Sequence, residues 1–516
     1  MLTSAARAVD RPNEDNLFGA APTPAPTPAP TPAPARSIPA ASPTREVGAA
    51  AVGRDTDLLG DPSAGPQLSR ETAPDDPLKI GGQLYLRANY NNPGSPNYAS
   101  GDPTVITSGP VTFSAPSLVD AYFDARPNER VRGFVLGRMF FDPTLPSATS
   151  TPPPSQTTTD TGMGSSLNPT TPSVSGVSIT RGPTVVLDQL WLRFDLFQTV
   201  FVTAGRQHVK WGTGRFWTPT DFLHPVHRNP VAVFDARPGF TMLKLHLPWE
   251  ERGWNFYAFG LVEGFRRWDR SHNAFVTGTD STPTLGQIGG AARAELVYGS
   301  AELGLDLVAY KDQKPKYGVD LSFGIGDFDF YADAGFQYGS EIPRVDSGCP
   351  ASFVNPGTCI YYSTGLKPQV ATGGTYSMKY NDNDVFTLAG EYFYNSRGYS
   401  DPRAYLNLFF SGNFEFFYTG RHYAALSAIL NAPWSWNYTN FTFSTIGNLS
   451  DQSFLSRLDY SHTLLTHLTF EAYGAVDYGR TEGEFRLGAD NIMIGGGSYS
   501  RRPQAFSMGL GLRIKI

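Results

Sequence analysis

From Leu78 to the C-terminus, apolar and polar residues alternate along the chain with a period of two. The first run places its apolar residues on one face and its polar residues on the other. The apolar face carries Leu78, Ile80, Leu84, Leu86, Ala88 and Tyr90, and the polar face carries Lys79, Gln83, Tyr85, Arg87 and Asn89. Because the side chains of a β-strand point alternately to its two sides, this pattern predicts a strand with one apolar side.

The same period predicts about eighteen strands, with sixteen as the alternative count. They cover residues 78–90, 117–126, 131–142, 184–196, 199–210, 238–247, 253–262, 286–298, 301–310, 316–325, 328–338, 368–380, 384–394, 421–430, 438–447, 452–461, 466–478 and 504–516. In one clear pair, Gly326 and Asp327 separate two alternating runs, and this step is typical of a hairpin turn.

The lengths of the connections differ between the two ends of the predicted strands. One end has short turns, at 127–130, 299–300, 326–327 and 381–383. The other end has long segments at 91–116, 143–183, 211–237, 263–285, 339–367, 395–420 and 479–503, with two short ones near 311–315 and 448–451. Short periplasmic turns and long external loops are typical of outer-membrane barrels. We therefore predict an all-β fold over residues 78–516, a transmembrane antiparallel up-and-down β-barrel in the outer membrane of a Gram-negative bacterium.

Aromatic residues and the last strand agree with this prediction. Tyrosines and a tryptophan fall at the two ends of the apolar faces, as in the aromatic girdles of membrane barrels. They are Tyr90, Tyr338, Tyr392, Tyr394 and Tyr478 at the outer end, and Trp254, Tyr298, Tyr380 and Tyr460 at the inner end. The alternating C-terminal run resembles the strand signal that the outer-membrane insertion machinery recognises, with Ile516 in place of the usual terminal Phe or Trp.

Residues 1–77 contain no strand or helix pattern. Residues 21–35 read APTPAPTPAPTPAPA, and such a run has too few apolar side chains to fold. We predict a disordered Ala/Pro/Thr-rich periplasmic segment, which is either a passive linker or a contact with the cell wall. The first residues lack the apolar region of a signal peptide, which an exported protein needs, so we expect the true start to lie elsewhere.

Composition narrows the class of protein further. Charged residues make up 17% of the chain, below the roughly 25% of soluble domains. No window of ~18 consecutive apolar residues occurs, which excludes a helical membrane span. The net charge of -6 gives no support for nucleic-acid binding.

Cys349 and Cys359 lie close together without a CxxC motif or a nearby histidine, so either they form a loop disulfide or they are two unpaired thiols.

A closed barrel of this size leaves a water-filled lumen unless something fills it. The polar faces supply basic residues on one side: Arg132, Arg138, Arg193, Arg206, His208 and Lys210. On the other side they supply acidic residues: Glu302, Asp306, Asp320, Asp329 and Asp333. These two walls either set up a transverse field that filters solutes by charge, or pair with near neighbours and fill the lumen. Asp188 falls on the apolar face of its run, so we expect it to lie above the bilayer.

The segment AGRQHVKWGTGRFWTPTDFLHP, at residues 204–225, resembles the strand-to-loop "GRQ...WG...P.D" segment of DUF1302-type porin-like outer-membrane barrels of proteobacteria. The residues that match are Gly205, Arg206, Gln207, Trp211, Gly212, Pro219 and Asp221. The resemblance implies a porin-like barrel in which the loop after Trp211 folds inward as a constriction. The constriction residues would be Trp211, Arg215, Trp217 and Asp221. The alternative is an external loop made rigid by its aromatic residues.

The sequence contains no convincing enzymatic site. GxSxG and comparable motifs do not occur, and His224 and His227 have no evident third ligand for a metal, so we expect no enzyme, metal or cofactor. The expected function is a porin-like channel for passive diffusion of small polar or charged solutes. The alternative is a structural or surface-recognition barrel with a blocked lumen. Expected partners are outer-membrane lipid and lipopolysaccharide, the insertion machinery and small polar solutes, with a homotrimer as one possible assembly.

Overall fold

The computed structural model describes 18 ranges of the chain. They are residues 77–92, 105–107, 112–144, 183–224, 227–232, 237, 239–262, 266–269, 274–277, 288–310, 313–339, 344–345, 360–380, 385–410, 414–434, 436–494, 497–501 and 503–516. The predicted periplasmic segment and the predicted disulfide between Cys349 and Cys359 lie outside the described residues, and both stay predictions.

The main sheet has 19 strands, of which Thr112–Ser114 is a 3-residue strand beside the end of the first. The other eighteen are the long strands of the barrel. They are β1 (Leu78–Asn92), β2 (Ser117–Asn128), β3 (Val131–Phe141), β4 (Thr184–Leu196), β5 (Val200–Gln207), β6 (Phe240–Trp249), β7 (Trp254–Leu261), β8 (Gly289–Tyr298), β9 (Ala301–Tyr310), β10 (Lys316–Ile325), β11 (Phe328–Tyr338), β12 (Leu366–Lys379), β13 (Val385–Asn395), β14 (His422–Asn431), β15 (Thr439–Asn448), β16 (Ser453–Leu465), β17 (Leu468–Gly479) and β18 (Phe506–Lys515).

Each long strand pairs antiparallel with the next one in sequence, and β18 pairs antiparallel with β1. Leu84 of β1 lies opposite Val119 on one side and Ile514 on the other, so the sheet is closed. The eighteen-strand antiparallel barrel that the sequence predicts is confirmed, and the sixteen-strand alternative is wrong. A closed sheet has no edge strand with unpaired amides, which is what removes the tendency of an open sheet to pair with another chain.

Other elements lie in the connections. Short strands pair outside the barrel: Arg266–Asp269 with Ala274–Thr277, Arg344–Val345 with Ile360–Tyr361, and Val105–Thr107 and Ala489–Ile494 with Gly497–Arg501. The helices are α1 (Tyr405–Phe410) and the 3-10 helices Pro402–Ala404 and Glu484–Arg486. Among the described residues, no helix is long and apolar enough to cross a membrane.

The two faces of the barrel wall differ in the way the alternation predicts. In β9, Leu305 and Leu307 are each 41% exposed, whereas Asp306 between them is 5% exposed. The same alternation of exposed apolar and buried polar residues runs through neighbouring strands. The apolar side chains therefore point outward and the polar ones inward, into the lumen.

The predicted hairpin between β10 and β11 is confirmed. Ile325 pairs with Phe328, so Gly326 and Asp327 form a two-residue turn. Gly326 has a φ of +62°, a left-handed conformation that glycine adopts without the steric cost of a Cβ atom. This turn fixes the register that places Asp320 of β10 opposite Asp333 of β11.

The apolar, outward face predicted for Asp188 is wrong, whereas its height relative to the bilayer stays a prediction. The register between β3 and β4 shifts so that Leu136 pairs with Gln189 and Gly137 with Leu187, which leaves Asp188 as an extra residue without an opposite. Such a bulge rotates the residues around it relative to strict alternation. Asp188 is 2% exposed and faces inward, where it contacts Arg138 and His208.

Candidate functional site

The chain that follows β5 lies against the inward face of the barrel wall. Residues 211–224 are called the inner segment here. Near its start, the Trp211 ring meets the Phe259 ring of β7 edge to face, with centroids 5.4 Å apart. Trp211 and Leu223 belong to one apolar cluster with inward-facing residues of β6 to β9. Both ends of the inner segment are therefore packed on the same side of the lumen.

Glu391, on the inward face of β13, binds the middle of the inner segment. Its carboxylate accepts hydrogen bonds from the backbone amides of Arg215 at 2.8 Å, Phe216 at 3.0 Å and Trp217 at 2.8 Å. The Tyr331 hydroxyl donates a fourth bond at 2.8 Å. Three of these donors reach Oε2 and the Trp217 amide reaches Oε1, so both oxygens of the carboxylate bind the surrounding chain. Hydrogen bonds to an ionised group are roughly twice as strong as neutral ones, which makes Glu391 the main polar attachment of the segment.

The inner segment also lies directly on β11. The Thr220 amide donates to Asp333 Oδ1 at 3.2 Å, and Asp333 is fully buried beneath it. A Cβ atom at Gly335 would lie 2.4 Å from the Pro219 carbonyl oxygen, and one at Gly212 would lie 2.1 Å from Asp333 Oδ2. Glycine at these two positions allows the backbone of the segment and the strand to approach this closely.

Trp217 connects the inner segment to a second one, residues 414–418. The Trp217 side chain is 0% exposed and stacks on Phe393 of β13, with ring centroids 5.3 Å apart. Its indole Nε1 donates to the Phe417 carbonyl oxygen at 2.9 Å. Beyond the inner segment, His227 Nδ1 also lies 2.6 Å from Glu415 Oε1 of residues 414–418. The two segments therefore pack inside the barrel as one body.

The five acidic residues predicted to line the lumen all lie on the inward face of β9, β10 and β11. Two of them, Asp306 and Asp320, share an ion pair with Arg293 of β8, which sequence reasoning missed. Arg293 Nη1 lies 2.8 Å from Asp306 and 2.7 Å from Asp320. Glu302 and Asp329 are exposed near the short-turn end of their strands, and Asp333 is covered by the inner segment. Of the five acidic residues, two are thus ion-paired, one is covered and two are exposed.

The basic residues of β3 and β4 also have acidic neighbours. Arg132 Nε donates to Asp124 at 2.8 Å, and Arg138 Nε donates to Asp120 at 2.8 Å. Arg193 lies opposite Arg132 across the sheet, on the same inward face. His208 comes just after β5, and its Nε2 lies 2.9 Å from Asp188. Most of these charges contact a neighbour on their own wall, so a transverse field between two walls stays a prediction.

The inward position predicted for Arg206 is wrong. Arg206 lies opposite Leu190 of β4 and Thr241 of β6, and Leu190 is one of the exposed apolar residues of the outward face. The residue that faces inward at this level is its neighbour Gln207, which is buried. The strand also ends at Gln207, so Lys210 lies beyond it and is exposed. Runs with apolar residues on both faces give little information on which face points outward, and β5 is such a run, with Val200 and Val202 on one face and Phe201 on the other.

The four predicted constriction residues have different positions. Trp211 and Trp217 are buried against the inward face, as described above. Arg215 contributes its backbone amide to Glu391, and the Asp221 carboxylate lies 2.9 Å from Nη1 of Arg237. Glu391 itself was missed, although it is a charged residue on the polar face of its predicted strand. Its partners are up to 176 residues away in sequence, and no local pattern indicates them.

The two histidines of the HPVH motif do not come together as metal ligands. His224 Nε2 lies 3.1 Å from the Val209 carbonyl oxygen, whereas His227 contacts Glu415. In the part of the chain that the structure describes, no group of 3 or more His, Cys, Asp or Glu side chains could hold a metal ion.

No protein-family model and no curated protein matches the chain. Among solved structures, it is similar to OccAB3 of Acinetobacter baumannii, with a TM-score of 0.46 and 11% identity over 85% of this chain and 99% of that chain. It is also similar to OccK9 (OpdG) of Pseudomonas aeruginosa, with a TM-score of 0.45 and 10% identity over 85% and 98%. It is similar as well to a BenF-like porin from Pseudomonas fluorescens Pf-5, with a TM-score of 0.44 and 12% identity over 85% of this chain and 98% of that chain. The resemblance of residues 204–225 to DUF1302-type barrels stays a prediction.

Proposed function

We propose that the protein is a porin-like channel of the Gram-negative outer membrane through which small polar or charged solutes diffuse passively. The observation that carries the proposal is a closed barrel with an apolar outside, a charged inside and a segment packed on one side of its lumen. Such a channel needs no cofactor and no catalytic group. The long connections would face the outside of the cell, and the N-terminal residues would lie in the periplasm.

The outward face supports a position in a lipid bilayer. Leu305, Leu307 and Leu243 are among many exposed apolar side chains, and exposing them to water on this scale is unfavourable. In a bilayer the same side chains contact lipid, and every strand amide is already paired within the closed sheet. Outer-membrane lipid, with lipopolysaccharide in the outer leaflet, would therefore be the partner of this surface.

We place the solute path along β1 to β4 and β18, on the side of the lumen away from the inner segment. The contacts described for the inner segment run from β6 to β13 and to residues 414–418, and its apolar cluster extends to β17. On the other side, Arg126 and Arg132 share one carboxylate, that of Asp124, at 3.1 and 2.8 Å. Two guanidinium groups on one carboxylate leave a net positive charge, which favours anions over cations at this level.

A specific observation favours the alternative function, a barrel with a blocked lumen. A large apolar cluster joins the inner segment, residues 414–418 and the inward faces of β12 to β17. It contains Phe216, Trp217, Val231, Ala371, Phe393, Phe417, Tyr418, Tyr423, Ala425, Ile446, Leu455, Tyr473, Ala475 and Phe485. If this packing continues across the lumen, the barrel acts as a structural or surface-recognition protein.

Planar-bilayer recording separates the two functions. The purified protein, added to a bilayer at low concentration, is expected to insert and produce discrete single-channel steps. A matched sample of the same protein denatured before addition is the control. Insertion that is verified by protease protection, without any conductance steps, would show that the lumen is blocked and would contradict the channel.

A further inference from the structure

A buried carboxyl group in the outer connections contacts the same segment that holds Trp217. Glu484, on the 3-10 helix Glu484–Arg486, is 0% exposed. Its carboxyl accepts hydrogen bonds from the Tyr423 hydroxyl, from Asn448 Nδ2 at 2.7 Å and from the Phe417 backbone amide. Glu484 with these three donors is called the Glu484 network. The network joins the connection after β17 to β14, β15 and residues 414–418.

Phe417 links the Glu484 network to the inner segment. Its amide donates to Glu484, and its carbonyl accepts the hydrogen bond from Trp217 Nε1. The Phe417 ring also packs against the Phe485 ring, with centroids 5.5 Å apart. If Glu484 released the Phe417 amide, Phe417 would lose this hydrogen bond. Phe417 is also the residue whose carbonyl binds the Trp217 indole, so the position of Trp217 would be less restrained. The position of the inner segment is therefore coupled to a carboxyl group on the connection that follows β17.

The charges around Glu484 are mostly negative or neutral. Asp451, in the turn between β15 and β16, accepts the Glu484 amide at 2.8 Å and the Ser453 amide at 2.8 Å. Tyr405 of α1 and Tyr423 of β14 face the same group through their hydroxyls. The nearest cation on its own helix is Arg486, whose guanidinium binds the Gly479 carbonyl oxygen at 3.0 Å. The carboxyl group of Glu484 thus accepts several hydrogen bonds, but its charged neighbour, Asp451, carries a charge of the same sign.

Two effects oppose each other at this carboxyl. Burial and the nearby Asp451 carboxylate disfavour its charged form, whereas the three donors favour it. Burial is the larger effect and raises the pKa of Glu484 to about 8. Burial also raises the pKa of Asp451. The protonated network is therefore the more stable one near neutral pH.

We infer that the Glu484 network is a pH-dependent attachment that holds residues 414–418, and through them the inner segment, in place. Its effect on solute passage rests on the proposed channel function. The attached state binds the proton of Glu484 more tightly than a released, hydrated glutamate does. The stabilisation is therefore fully present below the ordinary glutamate value of 4.5 and is lost as pH rises through about 8. Between these values the ratio of attached to released protein falls about tenfold per pH unit.

Hydrogen–deuterium exchange of the peptide that covers residues 414–420 tests this directly. Wild type and Glu484→Gln are compared at the same pH, from 6 to 9, so that the intrinsic pH dependence of exchange cancels. Gln stays neutral throughout, so we expect the wild-type exchange rate relative to the variant to rise by at least about tenfold across this range. Glu482→Gln, at an exposed neighbour paired with Arg480, is the matched control and should follow wild type. A constant ratio would overturn the inference.

Asp451→Asn covers the case in which Glu484→Gln does not fold. Removing the neighbouring negative charge should lower the pKa of Glu484 in the attached state, so that its ionised form is less disfavoured there and the segment is released only at higher pH than in wild type. An unchanged release pH in this variant would overturn the inference.

Single-channel recording over the same pH range separates this inference from the proposed function. Wild-type conductance or gating should change between pH 6 and 9, and Glu484→Gln should keep the behaviour seen at low pH. Steps that are present but equally pH-dependent in both proteins would contradict the coupling. A complete absence of steps would contradict the channel function, while the exchange experiment would still decide whether the network releases.

Discussion

The same strand alternation places inward-facing residues on both sides of the lumen, but these residues have different binding partners on the two sides. On the side of β6 to β14, inward-facing residues bind other parts of the chain: Glu391 binds backbone amides, Asp333 binds the Thr220 amide and Phe393 stacks on Trp217. On the side of β1 to β4, inward-facing arginines bind aspartates of the neighbouring strand. An inward carboxylate therefore does not by itself indicate a pore-lining charge. Its role depends on whether its partners are backbone amides from a distant segment or side chains on its own wall.

Removing the central aromatic of the filled side should have the largest effect. Trp217→Ala deletes a fully buried indole and its hydrogen bond to Phe417, which should lower the free energy of unfolding by about 3 to 5 kcal/mol. Urea unfolding in detergent, followed by tyrosine fluorescence or circular dichroism, measures this loss. Trp434→Ala, at a position 76% exposed, is the matched control and should cost less than about 1 kcal/mol. Equal losses in the two variants would mean that Trp217 is not packed inside the barrel.

Weakening the polar attachment should have the next largest effect. Glu391→Gln keeps the size of the side chain but replaces one acceptor oxygen with an NH2 group that faces backbone donors. We expect a loss of about 2 kcal/mol in the free energy of unfolding and a larger, noisier single-channel current, because the inner segment would move away from β13. The matched variant is Glu471→Gln on β17, whose carboxylate pairs with the Arg513 side chain rather than with backbone amides. Glu471→Gln is the reference for the free energy of unfolding. If Glu391→Gln leaves the current unchanged, the inner segment does not border the path.

The smallest effect is expected on ion selectivity. Arg132→Gln removes one of two guanidinium groups that share Asp124, and this should shift the anion-to-cation permeability ratio towards cations by a few-fold or less, since salt screens the charge. Reversal potentials under a salt gradient measure the ratio. Arg206→Gln is the matched control, because Arg206 lies on the outward face of β5 and should leave the ratio unchanged. A shift with Arg206→Gln but not with Arg132→Gln would reverse the assignment of faces.

The alternation of side chains made the wall of the barrel predictable. Every long strand and the turn at Gly326 and Asp327 follow from residues that are adjacent in sequence. The face of Asp188 could not be predicted, because it depends on a bulge in the register between β3 and β4, and the sequence of β4 alone does not reveal that register. The face of Arg206 could not be predicted because β5 has apolar residues on both faces. Local sequence patterns thus show which side of a strand faces the lumen only where the other side is clearly apolar.

The contacts of the candidate site were the least predictable part. The sequence of residues 204–225 indicated a segment that could fold inward, but not where it would bind. Glu391 and the amide of Trp217 are 174 residues apart, and Trp217 and Phe417 are 200 residues apart. Contacts at such separations result from the closure of the barrel, which brings the inward face of β13 next to the chain that leaves β5.

A density map of the detergent-purified protein, detailed enough to show tryptophan side chains, tests the central claim most directly. We expect the chain between Trp211 and His224 to lie inside an eighteen-strand barrel, with the Trp217 ring on Phe393 and the Glu391 carboxylate at the amides of Arg215 to Trp217. A map in which this chain lies outside the barrel, with Glu391 exposed to an open lumen, would contradict it.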